Sequence, residues 1–98
     1  MKLNINKEKL ENICQKYDVQ KLHLFGSVVH DDFSKSSDID ILVEFLPGNK
    51  PSLLGLGRMQ QDLEEIFKRE VDLKTPSFFK KENLNRILKE SRLQYEAA

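Results

Sequence analysis

Leu24-Phe25-Gly26-Ser27, followed after residues 28–37 by Asp38-Ile39-Asp40-Ile41-Leu42-Val43, is the stretch that decides how this chain is read. An apolar run, Leu22-His23-Leu24-Phe25, stops at Gly26-Ser27, and a second apolar run opens with two carboxylates. Side chains two positions apart on a strand project from the same face. Their Cα atoms are about 6.6 Å apart at the strand rise, so Asp38 and Asp40 can converge on one metal site. A hard cation such as Mg²⁺ takes oxygen ligands at about 2.0–2.1 Å and keeps positions open for phosphate oxygens. A strand that ends at Gly-Ser and turns can present backbone N–H groups and a hydroxyl to an anion. Carboxylates for metal beside Gly26 and Ser27 for phosphate point to nucleotide chemistry.

The flanking sequence supplies the framework. Leu10, Ile13, Cys14 and Tyr17 recur at helical spacing, which predicts a helix from about Asn6 to Tyr17, with Asn6 as its cap and Glu8 in the first turn. Val19 to Phe25 reads as a strand with Leu22 and Leu24 on one side and Lys21, His23 and Phe25 on the other. The polar loop after Ser27 has room for one helical turn, and Asp38 to Phe45 reads as a central strand because it is nearly continuous in apolar residues. Pro47-Gly48-Asn49-Lys50-Pro51 is a turn. A helix follows, clearest from Arg58, with Leu56, Met59, Leu63, Ile66 and Phe67 on one face; Gly55 and Gly57 weaken its start. Glu70 to Lys74 reads as a third strand, and a mostly helical tail follows Ser77, with Leu84, Ile87 and Leu88 apolar and Phe78 and Phe79 as packing anchors. The order α-β-β-α-β-α predicts an α/β (α+β) fold, a small mixed sheet with helices packed on it. The 98 residues are expected to form a single domain, 1–98, burying roughly 60–70% of the unfolded surface.

Asp72 completes the site. It lies between Val71 and Leu73, so the carboxylate faces away from the core, and three carboxylates meet if the third strand lies beside the second. Like charges that close raise one another's pKa, and divalent metal relieves the repulsion. Two ions about 3.5–4 Å apart can clamp the attacking and leaving oxygens of an in-line displacement. Asp38 and Asp40 would hold both ions, and Asp72 would ligate the ion that carries the nucleophile or take its proton. Neither Asp-X-Asp nor Gly-Ser is specific alone; their order and spacing, with a third strand-centred Asp after a helix, is.

The chain resembles the minimal nucleotidyltransferase domains of the DNA polymerase β-like superfamily. It looks most like the antitoxin members paired with HEPN-domain RNase toxins. The matching residues are Leu24-Phe25-Gly26-Ser27, the run from Ser37 to Phe45, and Val71-Asp72-Leu73. The resemblance implies that Gly26 and Ser27 contact nucleotide phosphates, that Asp38, Asp40 and Asp72 bind Mg²⁺, and that AMP moves from ATP onto a tyrosine of the partner toxin, blocking its RNase site. One departure stands out. Typical members continue Gly-Ser with Arg-Ala-Arg-Gly, where this chain has Val28-Val29-His30-Asp31, with Asp32 adding further negative charge. Lys35, later in the loop, is the residue left to reach the phosphates, as a point charge without a guanidinium fork. The alternative reading is therefore an antitoxin with a weak or inactive site that neutralises its toxin by binding and occlusion, for which sheet edges and the helix bearing Leu56, Met59 and Leu63 are candidate interfaces. A nucleotidyltransferase acting on a small molecule or RNA is a third reading, disfavoured by the lack of a second substrate-binding domain.

Composition excludes other classes. Sixteen basic residues against sixteen acidic give no charge excess for nucleic acid, and no direct nucleic-acid binding is expected. The single cysteine, Cys14, excludes an internal disulfide framework and is expected to pack in the core. No apolar segment approaches a membrane span and no signal-peptide pattern opens the chain, so a cytoplasmic location is expected. His23 and His30 have no partner at zinc spacing and are expected to be structural or surface residues.

Overall fold

Leu22, Leu24, Ile39, Ile41, Val43 and Val71 recur at every second position of their strands, so they share one face of the sheet and form the main core there, while the buried Leu42 lies on the other face. The computed structural model describes residues 3–30 and 38–98. Its strands are β1 (Val19–Phe25), β2 (Ile39–Phe45), β3 (Val71–Lys74) and β4 (Arg92–Glu96), in the sheet order β3-β2-β1-β4. β1 runs antiparallel to both β2 and β4, while β2 and β3 are parallel. A parallel pair needs a crossover, and helix α2 (Leu53–Phe67) supplies it. Helices α1 (Lys7–Lys16) and α3 (Lys81–Glu90) complete the mixed α/β architecture that the sequence predicts.

The first helix is capped as expected: the Asn6 side chain accepts the Lys9 N–H at 3.1 Å. α1 contributes Leu10 and Cys14 to the core, α2 contributes Met59, Leu63 and Phe67, and both pack on the face of the sheet formed by the residues above. Across their outer surface the Tyr17 hydroxyl donates to Asp62 at 2.6 Å, joined by Lys16 at 3.3 Å.

The structure corrects the sequence reading at several points. α2 begins at Leu53, ahead of Arg58, because Ser52 caps it by accepting the Gly55 N–H at 3.2 Å. That cap and the buried helix face offset the roughly 1 kcal/mol cost of each helical glycine. Met59 and Leu63, offered as interface residues, are both 0% exposed and belong to the core. The apolar residues that α2 does expose are Leu53 and Leu54, at 84% and 68%. The C-terminal tail is not helical throughout: α3 stops at Glu90, Ser91 is extended, and β4 pairs with the outer edge of β1, where Tyr95 packs against the core. Without β4, the N–H and C=O groups along that edge of β1 would lack ladder partners. Phe79 does anchor, meeting the Phe25 ring edge-on at 6.0 Å, but Phe78 is 61% exposed. Among the described residues no helix is long and apolar enough to cross a membrane.

Candidate active site

The register carries the candidate residues to one end of the sheet face opposite the main core. Phe25 lies opposite Asp40 across the β1–β2 ladder, and Asp40 lies opposite Asp72 across the β2–β3 ladder. Adjacent strands are about 4.8 Å apart, so the end of β1, Asp40 and Asp72 form one row across three strands. Because Ile39 and Ile41 point into the core, Asp40 between them must face the other way; Val71 and Leu73 impose the same orientation on Asp72. Asp38 immediately precedes β2 and is exposed.

Gly26 is fixed by two independent constraints. Its φ of +72° lies in the left-handed region, and a Cβ built there would stand 2.2 Å from Asp40 Oδ2. No other residue allows the backbone to lie this close to the carboxylate. Gly26 also begins the 3-10 turn Gly26–Val29, the single turn predicted for this loop, which contains Ser27. The turn closes with the His30 N–H donating to the Ser27 carbonyl at 3.1 Å, and Val28 is buried beneath it. Ser27 is thereby held beside the carboxylate row.

The electrostatics bear the mark of crowded like charge. Burial is the main cause that raises the Asp40 pKa above its ordinary value, followed by repulsion from Asp72 and, more weakly, from Asp38. The ammonium of Lys74 opposes this shift. Lys74 forms an ion pair with Asp72, two positions away on the same face of β3. Sequence reasoning missed this cation, although the Asp72-X-Lys74 alternation is the signal that could have found it. Among the described residues no trio of His, Cys, Asp or Glu forms a ready-made metal cage. Asp40 and Asp72 are register neighbours and Asp38 adds a weaker charge at Asp40, so the oxygen donors are of the kind a hard divalent cation takes, although the three expected ligands do not stand together as a metal-holding trio. Lys35, proposed as a phosphate contact, lies outside the described residues.

His23 is structural, as expected. Its Nε2 is 2.8 Å from Glu44 Oε2, and Ser91 Oγ is 3.4 Å from its Nδ1, so it ties the central strands to the start of β4. His30 stands 3.8 Å from the Glu90 carboxylate on α3.

A mixed sheet with Gly-Ser ending one strand and carboxylates aligned on the next two defines a nucleotidyltransferase class of protein. The chain belongs to the nucleotidyltransferase domain family, whose model matches residues 7–94. It is 40% identical over 91 residues to "Putative protein adenylyltransferase MJ0435" of Methanocaldococcus jannaschii, covering 93% of this chain and 96% of that protein. It is 32% identical over 80 residues to the protein adenylyltransferase MntA of Thermococcus cleftensis, covering 82% of this chain and 79% of the relative. Among solved structures, a toxin–antitoxin complex with AMP-PNP superposes with a TM-score of 0.74 at 20% identity, covering 95% of this chain and 75% of that one. The MNT antitoxin in complex with the tri-AMPylated HEPN toxin of Shewanella oneidensis superposes with a TM-score of 0.65 at 19% identity, covering 94% and 71%. Both superpositions establish the shared fold.

Proposed function

We propose that this chain is an antitoxin that neutralises a HEPN-domain RNase toxin by transferring AMP from ATP to a toxin tyrosine. The observation that carries this reading is the Gly26–Asp40–Asp72 row: a left-handed glycine pressed against one carboxylate, which is in register with a second. The similarity to proteins named as protein adenylyltransferases supports the reaction type. Solved neighbours described as toxin–antitoxin complexes, one with AMP-PNP and one with an AMPylated HEPN toxin, support the substrate and the partner.

In this reaction the tyrosine oxygen attacks the α-phosphorus of ATP, the bond to the β-phosphate oxygen breaks, and pyrophosphate leaves. Gly26 and Ser27 open the 3-10 turn, and in this reading its backbone and the Ser27 hydroxyl would contact the phosphates. Asp38, Asp40 and Asp72 are the residues that would hold Mg²⁺, which supplies charge neutralisation at the phosphates and lowers the pKa of a bound hydroxyl. Asp72 lies on the outer strand of the row, and in this reading it would accept the proton of the incoming tyrosine or ligate the ion that carries it. Lys74 pairs with Asp72 and partly offsets the repulsion felt by Asp40.

Intact mass spectrometry of the HEPN partner, incubated with this chain, ATP and Mg²⁺, tests the proposal. The expected result is a gain of one or more AMP masses that disappears with the Asp38→Asn/Asp40→Asn double variant. An unmodified toxin held in a stable, inactive complex would instead establish neutralisation by occlusion, the reading that the missing Arg-Ala-Arg-Gly stretch favours.

A further inference from the structure

We propose that Arg86, on α3, is the guanidinium that holds the β- and γ-phosphates of the nucleotide, replacing the arginines absent from the loop after Ser27. The inference rests on the nucleotidyltransferase reading and adds a binding residue that the motif region does not contain. A cleft of about 330 Å³ lies between the end of β1 and α3, lined by Phe25, Gly26, His30, Arg86, Ile87 and Glu90. Gly26 is both a wall of this cleft and the position at which an added Cβ would stand 2.2 Å from Asp40 Oδ2. The cleft therefore adjoins the carboxylate row at Gly26.

The loop itself offers no guanidinium at this point. Val28 is buried and Val29 packs against the core cluster, so the 3-10 turn presents apolar side chains where arginines would stand. His30 follows, 3.8 Å from the Glu90 carboxylate, a pair that is ionic only when the imidazole is protonated. Arg86 is exposed on α3 and has no carboxylate partner among the described residues. A planar guanidinium matches phosphate oxygens bidentately, which a lysine ammonium cannot do. With the reacting α-phosphate at Asp40 and Asp72, the phosphates that follow it enter the cleft beyond Gly26 and meet Arg86.

Calorimetric titration of the chain with ATP and with AMP, in the presence of Mg²⁺, tests this on the wild type and on Arg86→Ala and Arg86→Lys. The expected result is an ATP Kd raised about tenfold or more by Arg86→Ala, because a hydrogen-bonded ion pair to phosphate is lost. Arg86→Lys recovers part of that loss, AMP affinity is unchanged, and melting temperatures are unchanged because the side chain is exposed. Unaltered ATP affinity in Arg86→Ala, or equal weakening of ATP and AMP, overturns the assignment while leaving the function intact. A wild-type chain that binds neither nucleotide overturns the functional reading, and the Arg86 assignment with it.

Discussion

Asp40 is the residue at which stability and function oppose each other. Its carboxyl pKa is raised in the fold, chiefly by burial and then by Asp72. A carboxyl that is harder to ionise when folded costs stability above its folded pKa, and the cost fades as pH falls toward the ordinary value of 3.8. Asp40→Asn removes this cost. The variant is therefore expected to melt at a higher temperature than the wild type at pH 7 in EDTA, with the difference shrinking toward pH 4, as differential scanning fluorimetry would record. The same change should lower AMP transfer by about 10²-fold or more, since it removes charge at the reacting centre. Gly26 makes a complementary case. Gly26→Ala places a Cβ against Asp40 Oδ2 and forces an alanine into left-handed backbone, at a cost of about 1–2 kcal/mol. A thermal melt should show that loss, and transfer should fall at least tenfold as the carboxylate is displaced. The candidates Asp38, Asp40, Asp72, Gly26 and Ser27 stand out by residue type and spacing, and the shared face of Asp40 and Asp72 was legible because side-chain direction on a strand follows its period of two. Arg86 carries no such signal, since nothing local ties a solvent-facing helical arginine to a strand end distant in the sequence.

Element boundaries follow caps and tertiary contacts more than propensity. α2 starts early because Ser52 caps it, and it ends with Lys68 in the left-handed conformation at φ 58°. A glycine suits that position better than any residue with a Cβ. Lys68→Gly is accordingly expected to stabilise the chain by about 0.5–1 kcal/mol, or a few degrees in Tm for a domain of this size, measurable by circular dichroism. β4 is the element that the sequence reading missed. Arg92-Leu93-Gln94-Tyr95-Glu96 is short, polar and continuous with a helical pattern, and its identity as a strand depends on the open edge of β1 against which it lies. β3 was legible although also short, because Val71 and Leu73 flank a polar residue and Thr75-Pro76 stop the strand.

At the scale of the molecule, the sheet divides the chain into a packed face and a chemical one. Cys14 belongs to the packed face: it is fully buried, and burial, helped by the Glu11 charge, pushes its thiol pKa up to about 12. The thiol is thus protonated and shielded throughout the neutral range. Labelling with a thiol reagent at pH 8 is expected to be slow in the native protein and to become complete only as denaturant unfolds it. The rate of labelling would then report the global opening of the core.

The sequence by itself determined the alternation of faces, the Gly-Ser turn and the three carboxylates, because these depend on strand periodicity, backbone conformation and side-chain type, all local properties. Only the tertiary structure decided that Asp40 and Asp72 are partners in register, that Gly26 lies against Asp40, that β4 closes the β1 edge, and that α3 brings Arg86 to the end of β1. Each of these joins residues far apart in the chain, and such contacts are fixed by the packing of the whole core rather than by any segment's own preference.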